Sequence, residues 1–169
     1  MASTWKAMLA AGVGSCLAAG TAAAGDPRQV SIAHPLVRAA VVETIHGVAE
    51  RLHQGSCDAV LEDFHDAAGR TLLERLATER RTATDTLDSL SFVNGDEQPL
   101  CRTRSEVGAF TQPGGHVVQI CATRFLQIFR RDRRAAETLL IHELLHTIGL
   151  GENPPSSAAI TEQVMMRCR

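Results

Sequence analysis

The chain has 169 residues, 44% hydrophobic and 21% charged, with a formal net charge of −2. That leaves no basic excess to hold nucleic acid or an anionic membrane surface. Tyrosine is absent and Lys6 is the only lysine, so chemistry that needs an oxyanion donor must draw on histidine, arginine, asparagine or the backbone.

At the N-terminus, Lys6 precedes an apolar stretch, Ala7 to Ala19, and the small residues Ala22-Ala23-Ala24. That order predicts a signal peptide over residues 1–24, cleaved near Ala24. The stretch is mostly Ala and Gly, which makes it a poor permanent membrane span. Cys16 in "VGSC" loosely resembles a lipoprotein cleavage box, although Gly14 is atypical there. Residues 25–169 are enough for one domain with its own core. They carry sixteen arginines and nineteen acids, a net charge of −3.

Leu36, Val37, Ala40, Val41, Ile45, Val48, Ala49 and Leu52 recur at helical spacing and predict a helix ending near Gly55. A second helical region starts at Asp58, a candidate N-cap, and carries Val60, Leu61 and Phe64. Gly69 interrupts it before Leu72, Leu73, Leu76 and Ala77. "LSFVNGDEQPLC" is β-like up to the turn signal Asn94-Gly95. "GAFTQPGGHVVQIC" predicts two strands around Pro113-Gly114-Gly115, the second being the stronger. From Phe125 the pattern is helical through the last histidines, with Asp132 as a candidate cap and Gly149 as the stop. Pro154-Pro155 then forbids continuation, and Ser156 or Ser157 can cap a final helix. The chain is therefore expected to be α+β, with no visible βαβ alternation.

Four cysteines lie beyond the leader: Cys57, Cys101, Cys121 and Cys168. In an exported chain they predict two disulfides. Cys101 and Cys121 flank the predicted hairpin, which favours that pair and leaves Cys57 for Cys168.

The chemistry concentrates in "HELLHTIGLGEN", residues 142 to 153. On a helix, His142 and His146 sit one turn apart on the same face and can aim their imidazoles at one metal ion. Glu143 is rotated by roughly 100° and flanks the ion, placed to take a proton from a water held between ion and carboxylate. Leu139, Leu140, Ile141, Leu144, Leu145 and Ile148 make this helix apolar almost all round. Such a helix belongs in a core, where two histidines and a glutamate are costly without a cation.

The stretch resembles the active-site helix of the zincin metallopeptidases. Within that group, His142-Glu143-x-x-His146-x-x-Gly149-x-x-Glu152 is similar to the metzincin signature, with glutamate where that family has its third histidine. The resemblance implies a zincin-like fold: a small, mostly antiparallel or mixed sheet packed on helices, with a long active-site helix. It implies Zn²⁺ as cofactor, Glu143 as catalytic base, His142, His146 and Glu152 as ligands, and a peptide or protein as substrate. Glu162 on the final helix is the rival third ligand, in the manner of gluzincins. The resemblance also asks for a methionine beneath the metal, where Met165 and Met166 are the candidates, with core packing as their ordinary role. It asks as well for a sheet edge that binds substrate, for which His116 to Cys121 is the candidate, with a wholly internal strand as the alternative. His116 is a candidate oxyanion donor. A zinc-binding domain that recognises a partner without hydrolysis is the reading from another class.

Overall fold

The structure, a computed structural model, describes residues 29–169. The expected signal peptide lies outside the described residues. Four strands and eight helices follow in order, and the class is α+β. They are β1 (Val30–Ser31), α1 (Pro35–His53), α2 (Asp58–Asp63), α3 (Leu72–Thr78), α4 (Ala83–Asp88), β2 (Ser91–Asn94), α5 (Pro99–Thr103), β3 (Ala109–Phe110), β4 (Val117–Ile120), α6 (Ala122–Arg131), α7 (Arg133–Ile148) and α8 (Ser157–Arg167). No helix among the described residues is long and apolar enough to cross a membrane.

The sheet is mixed, in the order β1-β2-β4-β3. β1 pairs with β2 and β2 with β4 in parallel, while β3 runs antiparallel to β4 along one edge. The parallel pairs escape a pattern search because β1 has only two residues and the β1–β2 crossover spans four helices rather than one. "HVVQIC" is thus not an edge. It lies between β2 and β3, with Val118 and Ile120 buried, and the free edge on that side belongs to β3.

Local chemistry accounts for the helix boundaries. Thr71 and Thr82 each close a capping box, with Glu74 and Asp85 respectively, and start α3 and α4. Cys57, not Asp58, is the cap residue of α2. The helical run after Phe125 is two helices, because Asp132 adopts an extended backbone that ends α6. Its carboxylate then accepts hydrogen bonds from the Arg134 and Ala135 backbone N–H groups at the start of α7. Gly149, at φ +123°, stops α7, and Ser156 caps α8.

α7 is the central pillar. It packs against α1, α6, α8, α4, α3 and β3, and every residue from Leu140 to Leu150 is buried. Its apolar side chains join Phe92, Phe125, Leu72, Leu87 and Ile120 in one core, each large side chain stabilising by about 1.5–3 kcal/mol relative to exposure. Two disulfides tie the periphery down. Cys57–Cys168 joins the start of α2 to the end of α8 across a sequence separation of 111, and Cys101–Cys121 joins α5 to the end of β4 across 20. Both are the pairs expected from the hairpin. The Cys168 carbonyl also accepts hydrogen bonds from Arg51 of α1 and Arg134 of α7, which seats the end of α8 on the core.

Candidate metal centre

His142 and His146 are one turn apart on α7 and only 4% and 5% exposed. Their Nε2 atoms face each other at 3.0 Å. Two nitrogens bound to one tetrahedral ion at 2.0–2.1 Å would be separated by roughly 3.3 Å, so the pair is close to the spacing an ion requires. Glu152 completes the group: one ligand atom from each of the three residues falls within 4.8 Å of the others. Glu152 is exposed, so its carboxylate can approach by rotating its side chain. Among the described residues this is the one cluster of histidine, cysteine or acidic side chains that could hold a metal ion.

Each imidazole is backed at its other nitrogen. The Leu150 carbonyl lies 2.8 Å from His146 Nδ1. A carbonyl only accepts, so Nδ1 carries the proton and Nε2 offers a lone pair to the site. His142 Nδ1 lies 3.0 Å from Thr161 Oγ1 on α8. Unlike the carbonyl, this hydroxyl can donate or accept. When it accepts from Nδ1–H, both Nε2 lone pairs converge, as a metal ion needs. When it donates to Nδ1, His142 can instead pass an Nε2–H to His146. The hydroxyl therefore serves the site both loaded and empty.

Burial sets the charge state of the two buried groups. Burial, reinforced by neighbouring His146, lowers the His142 pKa to about 4. The imidazole is therefore neutral at pH 7 and free to act as a ligand. Glu143 is 4% exposed, and burial pushes its carboxyl well above the usual range. The Thr111 backbone N–H opposes that shift and the Glu152 charge adds to it. A buried carboxyl with raised proton affinity thus directly follows the first histidine of the cluster.

Two loops hold the end of α7. In the loop before α3, the Asp66 carboxylate accepts from the backbone N–H groups of Ala68 and Arg70 and from the Arg70 guanidinium. Arg70 is the main cause of a lowered Asp66 pKa. Asp66 in turn bridges to Leu150, whose carbonyl supports His146. In the β3–β4 turn, the Gly114 N–H donates to the His146 carbonyl at 2.8 Å, a second donor for a carbonyl at the helix end that also accepts from the Gly149 N–H. Opposite, a Cβ on Gly149 would meet the Arg75 guanidinium, the mobile end of a long side chain of α3, and the φ of +123° is the stronger reason for glycine there.

The structure thus brings together His142, Glu143, His146 and Glu152. It leaves out Glu162, which is exposed on α8 and lies outside the cluster; the neighbouring Thr161 is the residue that reaches the site. Met165 and Met166 are 59% and 46% exposed on α8, so neither packs in the core or beneath the histidines. His116 is an exposed residue of the β3–β4 turn. Thr161, Asp66 and Thr111 had no signal in the chain, because a lone threonine or aspartate far from the motif gains its meaning only from the fold. Comparison with family models, curated proteins and solved structures returns no match to this chain.

Proposed function

We propose that the chain is an exported, zinc-dependent peptidase of zincin type. The observation that carries this reading is the pair of buried imidazoles converging at 3.0 Å, with Glu152 in reach and a buried glutamate alongside. The donor set suits zinc, since two histidines and a glutamate make an established catalytic combination that leaves a position open. Zinc bound there would acidify a water molecule and polarise a substrate carbonyl. Glu143 is placed to take that water's proton and return it to the departing amine nitrogen. The two disulfides favour an oxidising compartment.

The test is a peptide-library digest by wild type, Glu143→Gln, Glu152→Ala and Glu162→Ala, with zinc stoichiometry measured alongside. Expected are chelator-sensitive cleavage by wild type, retained zinc without cleavage in Glu143→Gln, and weakened zinc in Glu152→Ala alone. A zinc-loaded wild type that cleaves nothing would favour the non-catalytic, partner-binding reading. Unchanged turnover by Glu143→Gln would remove the glutamate from the mechanism.

A further inference from the structure

Leu150 stands between two glycines, Gly149 and Gly151, and Glu152 follows directly. Glycine gives up more conformational freedom on folding than any other residue, so a stretch built this way does not by itself hold a carbonyl or a ligand in place. The Leu150 carbonyl nevertheless has to stay 2.8 Å from His146 Nδ1 for that imidazole to keep its direction. The order must come from outside the stretch.

The loop before α3 supplies it. Asp66 pairs with Leu150 in an isolated antiparallel bridge. Leu150 turns its N–H to the Leu145 carbonyl and its own carbonyl to His146, while Asp66 gives its N–H to the Arg70 carbonyl. Neither residue spends these groups on the other, so this is the closer-set kind of antiparallel pair. It fixes the Leu150 backbone and leaves the carbonyl free for the imidazole.

Asp66 can serve as an anchor because its polar groups are all used within residues 66–70. Its N–H donates to the Arg70 carbonyl at 2.8 Å, and its own carbonyl accepts from the Gly69 N–H at 2.9 Å. One carboxylate oxygen accepts from the Ala68 and Arg70 N–H groups, the other from Arg70 Nε and Nη2. The side chain is 2% exposed, and a carboxylate that deep is stable only while the loop stays closed around it. Starting α3 does not require it, since Thr71 and Glu74 form their own capping box there.

We propose that Asp66 is a positioning residue of the metal centre. Its clasp on Arg70 orders Gly149-Leu150-Gly151, and through that stretch it holds His146 in direction and Glu152 within reach of the two imidazoles. The proposal rests on the metal site of the peptidase reading and not on hydrolysis.

The experiment compares wild type, Asp66→Asn and Asp66→Ala. Asparagine keeps an oxygen for the two backbone N–H groups and gives up the guanidinium, while alanine gives up every side-chain bond. Zinc affinity is measured by chelator competition. In the chelated proteins the His146 Nδ1–H proton is followed by NMR, since its bond to Leu150 shields it from exchange with water. The expected result is zinc weakened about threefold in Asp66→Asn and about tenfold in Asp66→Ala, the low end for outer-shell partners, with the Nδ1–H signal broadened in the same order. A merely structural role would lower the melting temperature of the chelated variants and leave zinc affinity and the Nδ1–H signal as in wild type; that outcome overturns the proposal. If Asp66→Ala does not fold, Asp66→Asn and Arg70→Met, the latter at a side chain 43% exposed, carry the same comparison. A wild type that binds no zinc removes the metal centre and the proposal together. Zinc affinity that responds as expected in a protein that cleaves no peptide removes the peptidase and leaves Asp66 its role.

Discussion

Replacing Thr161 by valine keeps the shape of the side chain and removes the hydroxyl behind His142 Nδ1. In the metal-loaded protein the imidazole is polarised by the cation, and its Nδ1–H bond is charge-assisted, worth roughly 1.5–3 kcal/mol. In the metal-free protein the same contact is a neutral bond worth about 0.5–1.5 kcal/mol. Valine removes both, and only the difference, about 1–1.5 kcal/mol, weakens the metal. That corresponds to a loss of affinity of roughly tenfold, at the lower end of what outer-shell partners contribute. Competition against a chromogenic chelator measures it, with a thermal melt of the chelated protein confirming that α8 remains docked. Thr161→Ser, which restores the hydroxyl, should recover most of the affinity. A valine variant that binds metal as tightly as wild type would refute the argument, as would serine and valine variants equally weakened.

Acid titration of the chelated protein should separate the two buried site groups. His142 is protonated in the unfolded chain below pH 6.5 but in the folded one only below about 4, so its contribution is lost as pH falls through that window. Glu143 works in the opposite sense, since its raised pKa lets the folded state hold a proton that the unfolded state has released. Chelated Glu143→Gln should therefore lose about 3 kcal/mol between pH 6.5 and 4 by denaturant titration, more steeply than wild type; parallel curves would contradict the assignment. Replacing Cys57 and Cys168 by alanine should cost about 5 kcal/mol and replacing Cys101 and Cys121 about 3 kcal/mol, from the loops of 111 and 20 residues that they close. A reversed order of melting temperatures would show that chain entropy is not the dominant effect. Gly149→Ala should destabilise by about 1–3 kcal/mol, and adding Arg75→Ala should recover only the steric part, leaving the cost of the positive φ; full recovery would mean that the backbone angle is cheap.

The sequence was most legible where one property repeated along a short stretch. The apolar spacing from Leu36 to Leu52 marked α1, and the His-Glu-x-x-His spacing marked the helix whose two histidines join Glu152 in a group that could hold a metal ion. Gly149 and the carboxylate three residues later pointed to Glu152. Illegible were features that depend on distant partners. β1 is two residues long and exists because β2 offers it a ladder. The edge position passed from β4 to β3 because strand order is decided by crossovers that carry no periodic signal. Thr161 lies 19 residues from His142, and Asp66 acts on His146 through a backbone carbonyl, which a motif search cannot register.

α7 is enclosed on nearly every side, and this limits how the protein can diversify. A substitution between Leu140 and Leu150 alters the core and the metal centre together, so few changes there can adjust one without the other. Variation that spares stability must come from the segments that meet the helix at its C-terminal end: the loop around Asp66, the β3–β4 turn and the exposed stretch from Glu152 to Pro154. A library confined to those three segments would sample new selectivities on a constant scaffold. One spread along the helix would mostly sample unfolded chains.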